Sequence, residues 1–464
     1  MSRIIVVLLA IAVVGIPSGA APGDTSMSAQ VDAILSKALQ SSNAPSISVA
    51  VVQGGKLVYA IASGRAALEP ERKASADTRY AIGSISKQFT AAAILLETEQ
   101  GKLSLDDPVS KYYPSLTRAS EITVRELLSH ASGYEDYAPQ DYMIPAWIRP
   151  TTPDEILNGW AKKPLNFDPG TKWQYSNTNY VLAGKILEKT SGAALMPILH
   201  SHIFDPLGIT TAGDCSVDKT PESAVAYTRY ALGPPRPALR EGPGWYFGAG
   251  ELCMTPSDLA KWDIAFLEKR ILNEAAYRSF TTEVKLKNGN GTHYALGLEL
   301  GDLDGVPMIY HGGEVSGFLA ENMVFPTKNA AVIVCSNQDG TGIISSVSRE
   351  IAHLLVSAQK PARPEELAQV RSILAGLALG AIDRSLFTSN ANFYFTQTAL
   401  DDYRRSLAPI GPLESLTRSN ESLRGGMTHR TYRAAFQRKT VNLNVYVTPE
   451  GKYEQFLVEE MFPR

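Results

Sequence analysis

Cysteine is nearly missing from this chain: Cys215, Cys253 and Cys335 are the only three in 464 residues. So small and odd a number excludes a disulfide framework and leaves room for one bridge at most. Cys335, inside the apolar run AAVIVCSN, reads as a buried strand residue rather than a partner. An excess of charge is also missing, with 44 basic against 47 acidic side chains. Such a surface has no positive field to displace counterions from nucleic acid or to hold an anionic membrane. A small molecule or short peptide is the expected partner, and nucleic acid is not. The motif H-E-x-x-H does not occur, and neither does the elbow G-x-S-x-G. His200 and His202, two apart on an expected helix, cannot face one metal together. There is no internal repeat and no low-complexity segment.

One apolar run stands out, from Ile4 to Ile16, preceded by Arg3 and followed by the small residues Ser18-Gly19-Ala20. It is shorter than the roughly 18 residues a membrane span needs. The pattern is that of a secretory signal over residues 1–21, cleaved near Ala20 or Ala21. The expectation is therefore an exported protein, periplasmic or secreted, with no stable membrane span after cleavage.

Hydrophobic residues at 44% and charged residues at 20% are ordinary for a globular protein, and the length allows one large and one small domain. SISVAVVQ and KLVYAIASG flank the turn Gly54-Gly55 and form a hairpin. A long stretch of helical periodicity follows, from SISKQFTAAAILLETEQG to PSDLAKWDIAFLEK. Strand patterns return at YALGLEL, VPMIYHGG, GFLAENMVFP and AAVIVCSN, and a helix is expected over Ile343 to Val356. Strands at both ends with helices between them imply one sheet formed by the first and last thirds, with a helical insertion. AQKPARPEE reads as a connecting segment, with a linker or helix over 359–378 and a small α+β domain over 379–464. The larger domain spans 28–358.

Three short segments carry chemistry. In Ser84-Ile85-Ser86-Lys87 at a helix start, residues three apart share a face, so the Lys87 amine can take the Ser84 proton. The Ser84 amide there is an outward donor, and the helix dipole favours negative charge on an acyl oxygen. In Tyr175-Ser176-Asn177, the loop before a helix can aim a phenol and an amide into a cleft while Ser176 points elsewhere. In His311-Gly312-Gly313, two glycines bare a strand for close approach of a substrate backbone. Each has a plain structural alternative when taken alone: a cap with a surface lysine, a second cap, and a β-bulge. Trp173 and Trp245-Tyr246-Phe247 fit either a cleft lining or the core, and His130 in LLSHASG reads as structural.

In this order the three segments resemble the S-x-x-K, Y-x-N and K-T-G-like motifs of the serine β-lactamase and penicillin-binding superfamily. Over roughly Asp32 to Val356, FDPGTKWQYSNTNYVLAGKILEKTSG, IFDPLGIT, GAGELCMTPSDLAKW and HGGEVSGF are similar to its class C β-lactamase, D-aminopeptidase and family VIII esterase branch. The resemblance implies a β-lactamase/transpeptidase-like α/β (α+β) fold, an antiparallel sheet flanked by helices. It also implies no metal and no organic cofactor. Carried onto this sequence, Ser84 attacks, Lys87 and Tyr175 share proton transfer, Asn177, His311 and Gly313 bind substrate, and the amides of Ser84 and Glu314 form the oxyanion hole. Whether Lys87 or Tyr175 is the base stays open.

The third motif begins with His311 where strong β-lactamases carry a lysine, so esters, amides or D-amino-acid peptides are favoured over antibiotics. The alternatives are a true β-lactamase, a non-turning penicillin-binding sensor that acylates without release, and an interaction protein built on the C-terminal domain. That domain, from about Leu379, resembles the small cone-shaped α+β domains of the nuclear-transport-factor-like group in its hairpin pattern. Oligomeric state and exact substrate are not legible.

Overall fold

The structure is a computed structural model of the chain and describes residues 26–140, 142–356 and 363–460. The expected signal over 1–21 lies outside the described residues, as does most of the connecting segment. The chain divides into two compact units, one covering Met27–Ala358 and the other containing Gln359–Arg464.

The larger unit is organised by a seven-stranded antiparallel sheet. We label its strands β1 (Ser46–Gln53), β2 (Lys56–Ala67), β3 (Arg72–Lys73), β4 (Glu299–Leu303), β5 (Val306–Val315), β6 (Phe318–Phe325) and β7 (Ala330–Ser336), in spatial order β3-β2-β1-β7-β6-β5-β4. β1 pairs with β2 on one side and with β7 on the other, so the first and last thirds of this unit meet at its centre. The near-continuous apolar character of β1 and β7 follows from burial on both faces. Ile47, Val49 and Val51 enter the same cluster as residues of the helices α1 (Met27–Ser42) and Ile343–Val356. Ala50 and Val52 enter the cluster of the helical region on the opposite face. The strand expected over YALGLEL begins only at Glu299, because Gly297 turns the chain with a φ of +76°.

The helical region carries α2 (Ser86–Glu99) through its centre. Eleven of its residues are buried, which fits a sequence apolar on nearly all sides. Against α2 packs α3 (Asn177–Ser191), ended by Gly192 in a left-handed cap. The loop before α3 and the turn before α2 converge next to β5, and that convergence forms the site described below.

The second unit has a four-stranded antiparallel sheet in sequential order: Leu413–Arg424, Met427–Phe436, Thr440–Val447 and Tyr453–Glu460. The helix Pro364–Leu379, in the segment read as a linker or helix, contributes Val370, Ile373, Leu374 and Leu377 to the core of this unit. Its Glu366 is buried with Arg418, 2.9 Å away, and accepts from the Tyr432 hydroxyl at 2.9 Å. Among the described residues no helix is long and apolar enough to cross a membrane.

Candidate active site

Ser84 lies in the short turn Gly83–Ile85 that leads into α2. Two glycines set its position. Gly83 has a φ of +51°, and a Cβ there would stand 2.7 Å from the Glu314 amide nitrogen. A Cβ on Gly313 would stand 1.9 Å from the Ile82 carbonyl oxygen. Neither contact is sterically possible, so these glycines let the Ser84 turn lie directly against the end of β5. The Ser84 and Glu314 amides are brought to one place by this approach.

Lys87, one turn further on, is fully buried. Its Nζ is 2.9 Å from Ser84 Oγ, 2.8 Å from Asn177 Oδ1 and 2.8 Å from the Ala249 carbonyl. Burial lowers its pKa from 10.5 to about 7, against the opposing charge of Asp136. A neutral amine has two N–H donors and one lone pair. Asn177 Oδ1 and Ala249 O can only accept, so they take both N–H groups, and the lone pair is left facing the Ser84 hydroxyl. The Asn177 amide is fixed in this sense because its Nδ2 donates to Asp136 Oδ1 at 3.2 Å, and its backbone N–H donates to the same oxygen at 2.9 Å.

Tyr175 completes the group. Its phenol hydrogen-bonds to Ser84, and Lys87 Nζ lies 4.8 Å from its ring centroid. Burial pushes the phenol well above its ordinary range, while the Ser84 hydrogen bond opposes the shift only in part. The two groups left open by the sequence therefore separate: the amine moves toward neutrality near pH 7, and the phenol is held protonated. Ser176, between Tyr175 and Asn177 in the sequence, is buried, as expected for a residue pointing away from the cleft.

His311 is among the residues that line the cleft, and it is 2% exposed with both ring nitrogens engaged inside the protein. Nδ1 donates to the Gly312 carbonyl at 2.6 Å, so Nε2 is the acceptor for the Tyr294 hydroxyl at 2.9 Å. Burial first, and the Lys87 charge second, push its pKa down to about 3. His130 is tied to the same chain. Its Nδ1 accepts from the Ser176 amide at 3.1 Å, which leaves Nε2–H to donate to Tyr294 at 3.3 Å. His130 thereby pins the loop that carries Tyr175 and Asn177.

These groups open onto a cleft of about 970 Å3 lined by Ser84, Tyr175, Asn177, Trp173, Tyr246 and Gly313, among others. Of the aromatics left open by the sequence, Trp173 and Tyr246 line the cleft, while Trp245 is 6% exposed and Phe247 packs on Gly184. Asp136, Tyr294 and the Ala249 carbonyl were missed by sequence reasoning.

The profile of the beta-lactamase family matches residues 31–353. This chain belongs to that family. It is 30% identical over 318 residues to a D-aminopeptidase of Cereibacter sphaeroides, which covers 68% of this chain and 61% of the relative. A D-stereospecific amidohydrolase from Streptomyces sp. superposes with a TM-score of 0.61 at 27% identity, covering 70% of this chain and 98% of the other. A penicillin-binding protein homologue from Pyrococcus abyssi, described as octameric, covers 94% of this chain and 96% of its own with a TM-score of 0.63; at 23% identity that likeness shows the fold alone. The chain is a serine hydrolase of the beta-lactamase-related group, and its expected fold class is the one observed.

Proposed function

We propose that this protein hydrolyses small amides or short peptides containing a D-amino acid, through an acyl-enzyme on Ser84. The observation that carries the reading is the Lys87 amine, poised near neutrality with its lone pair toward the Ser84 hydroxyl and both N–H groups held elsewhere.

In the first half-reaction Lys87 takes the hydroxyl proton as Ser84 Oγ bonds to the substrate carbonyl carbon. The negative charge that develops on the carbonyl oxygen is held by the amides of Ser84 and Glu314. Collapse breaks the C–N bond, and the amine leaves with the proton returned from Lys87 through the Tyr175 hydroxyl. Water then attacks the ester in the reverse sense, its proton passing to Lys87, and Ser84 leaves with a proton as the acid is released. Asn177 orients both Lys87 and a substrate amide.

The amide and D-peptide reading is supported by the D-aminopeptidase and D-stereospecific amidohydrolase relatives. It is favoured over antibiotic hydrolysis because His311 stands neutral where a cation would meet a drug's carboxylate. The N-terminal sequence pattern supports export to the periplasm or the medium. The test is a turnover panel of D-alanyl p-nitroanilide, its L-isomer and a chromogenic cephalosporin, with wild-type and Ser84→Ala protein. The D-anilide should be turned over fastest and only by the wild type. Equal turnover by Ser84→Ala, or a preference for the cephalosporin, would defeat the reading.

A further inference from the structure

The Ser84 turn is held by a small three-stranded antiparallel sheet, in the order Tyr80–Ala81, Leu252–Met254, Gly213–Asp214. Its middle strand grips the turn through one residue. The Leu252 carbonyl accepts from the Ile82 amide at 3.0 Å, and the Leu252 amide donates to Ser86 Oγ at 3.1 Å. Ser86 Oγ in turn donates to the Gly83 carbonyl at 2.7 Å. The chain enters this strand just after Ala249, whose carbonyl holds Lys87. The strand therefore fixes both the nucleophile turn and one partner of its base.

Two of the three cysteines meet in this sheet. Gly213 pairs with Cys253, and the Cys215 amide donates to the Glu251 carbonyl at 2.8 Å. Side chains alternate along a strand, so this register puts Cys215 and Cys253 on one face as diagonal neighbours. The two thiols share a hydrogen bond. The Cys253 sulfur also accepts from Arg79 Nη2 at 3.3 Å, and the same nitrogen lies 3.0 Å from Asp218. Gly213 makes room for that guanidinium, since a Cβ there would stand 2.8 Å from Arg79 Nη2. A cysteine buried in a strand is ordinarily inert packing. Packing requires neither a second thiol in contact nor an arginine on the sulfur. The hydrogen bond from Cys215, with the Arg79 charge, holds the Cys253 thiol below its ordinary pKa against burial. Cys253 is 4% exposed, whereas Cys215 is half-buried and stands just past the strand end at Asp214.

We propose that Cys215 and Cys253 are a disulfide-forming pair, oxidised by exchange with an external disulfide of the glutathione class, and that the bridge clamps one wall of the cleft. Cys215, the more accessible, loses its proton and attacks the donor disulfide, which forms a mixed disulfide and expels one donor thiolate. Cys253, as a thiolate beside Arg79, then attacks the Cys215 sulfur and expels the second. The protein gives up two protons and two electrons, and the donor disulfide becomes two thiols. The bridge closes the segment 215–253, which carries Tyr246 and Ala249 of the cleft. Cross-linking so long a segment restricts the unfolded chain and stabilises the folded one. Cys335, fully buried in β7, takes no part. The inference does not depend on the reaction at Ser84.

The test treats the full chain with glutathione disulfide or with dithiothreitol, blocks remaining thiols under denaturing conditions, and maps unreduced peptides by mass spectrometry. The reduced protein should titrate all three thiols and the oxidised protein only Cys335. One linked peptide pair should appear, joining Cys215 to Cys253. The oxidised protein should melt about 5 °C above the reduced one. Cys215→Ser should melt at one temperature under both treatments, and so should Cys253→Ala. The first of these changes a half-buried residue, so a folding defect in the second leaves the comparison intact. No linked pair, a link to Cys335, glutathione retained on Cys215, or a Cys215–Cys253 link that leaves the melting temperature unchanged or lower would overturn the proposal.

Discussion

The Lys87 amine lies 2.9 Å from the Ser84 hydroxyl, and its other two polar neighbours, Asn177 Oδ1 and Ala249 O, can only accept. The amine is useful as a base only when deprotonated, and burial brings its pKa to about 7. Below that pH it is an ammonium with no lone pair; above it the lone pair is present. The kcat/KM for a D-amide should therefore rise through pH 7 and level off above it, as measured in steady-state profiles. Lys87→Arg, which cannot lose its proton at these pH values, should lower kcat/KM by about 100-fold or more and abolish the rise.

Asp136 acts on that amine from a distance. It accepts from the Asn177 amides, and its charge raises the Lys87 pKa against the larger effect of burial. Asp136→Asn removes the charge, so the acidic limb of the kcat/KM profile should move to lower pH. A residue that merely held the loop in place would lower activity without moving the limb.

Neighbouring glycines in the His311-Gly312-Gly313 segment should differ sharply. A methyl group on Gly313 would collide with the Ile82 carbonyl, whereas nothing lies within 4 Å of one on Gly312. Gly313→Ala should destabilise the protein by about 1–3 kcal/mol and lower kcat by roughly 100-fold through displacement of the oxyanion donors. Gly312→Ala should leave the denaturant midpoint close to wild type. Urea unfolding of the two variants checks the contrast.

The Tyr294 hydroxyl joins His311 to His130 without lining the catalytic group itself. Tyr294→Phe strands the buried Nε2 acceptor of His311, at a cost of about 1–3 kcal/mol of stability. The acidic limb of the pH profile should stay in place, because the Lys87 partners are untouched. Thermal denaturation and the profile together check both halves of this expectation.

Much of this was legible in the sequence because side-chain spacing encodes it. Ser84 and Lys87 sit three apart at a helix start, and Tyr175 and Asn177 sit two apart on a loop before another helix. The central strands were legible because burial on both faces leaves an unbroken apolar run. Other parts leave no such trace. The third Lys87 partner is a backbone carbonyl, which any residue at 249 would supply. Asp136 is a single carboxylate in a loop, and its role exists only through the Asn177 amide that the fold delivers to it. The sequence likewise shows His311 but not the Tyr294 hydroxyl that occupies its Nε2. The strand Leu413–Arg424 leaves no such trace either, because LESLTRSNESLR has no apolar alternation, although its Arg418 is buried against Glu366.

The most direct measurement is mass spectrometry of the protein after brief exposure to an activated ester, with the adduct mapped by peptide sequencing. The expected result is one acyl group, on Ser84, formed faster as pH rises through about 7 and absent from Ser84→Ala. An acyl group on any other residue, or one retained by Ser84→Ala, would contradict the assignment of Ser84 and Lys87 as nucleophile and base.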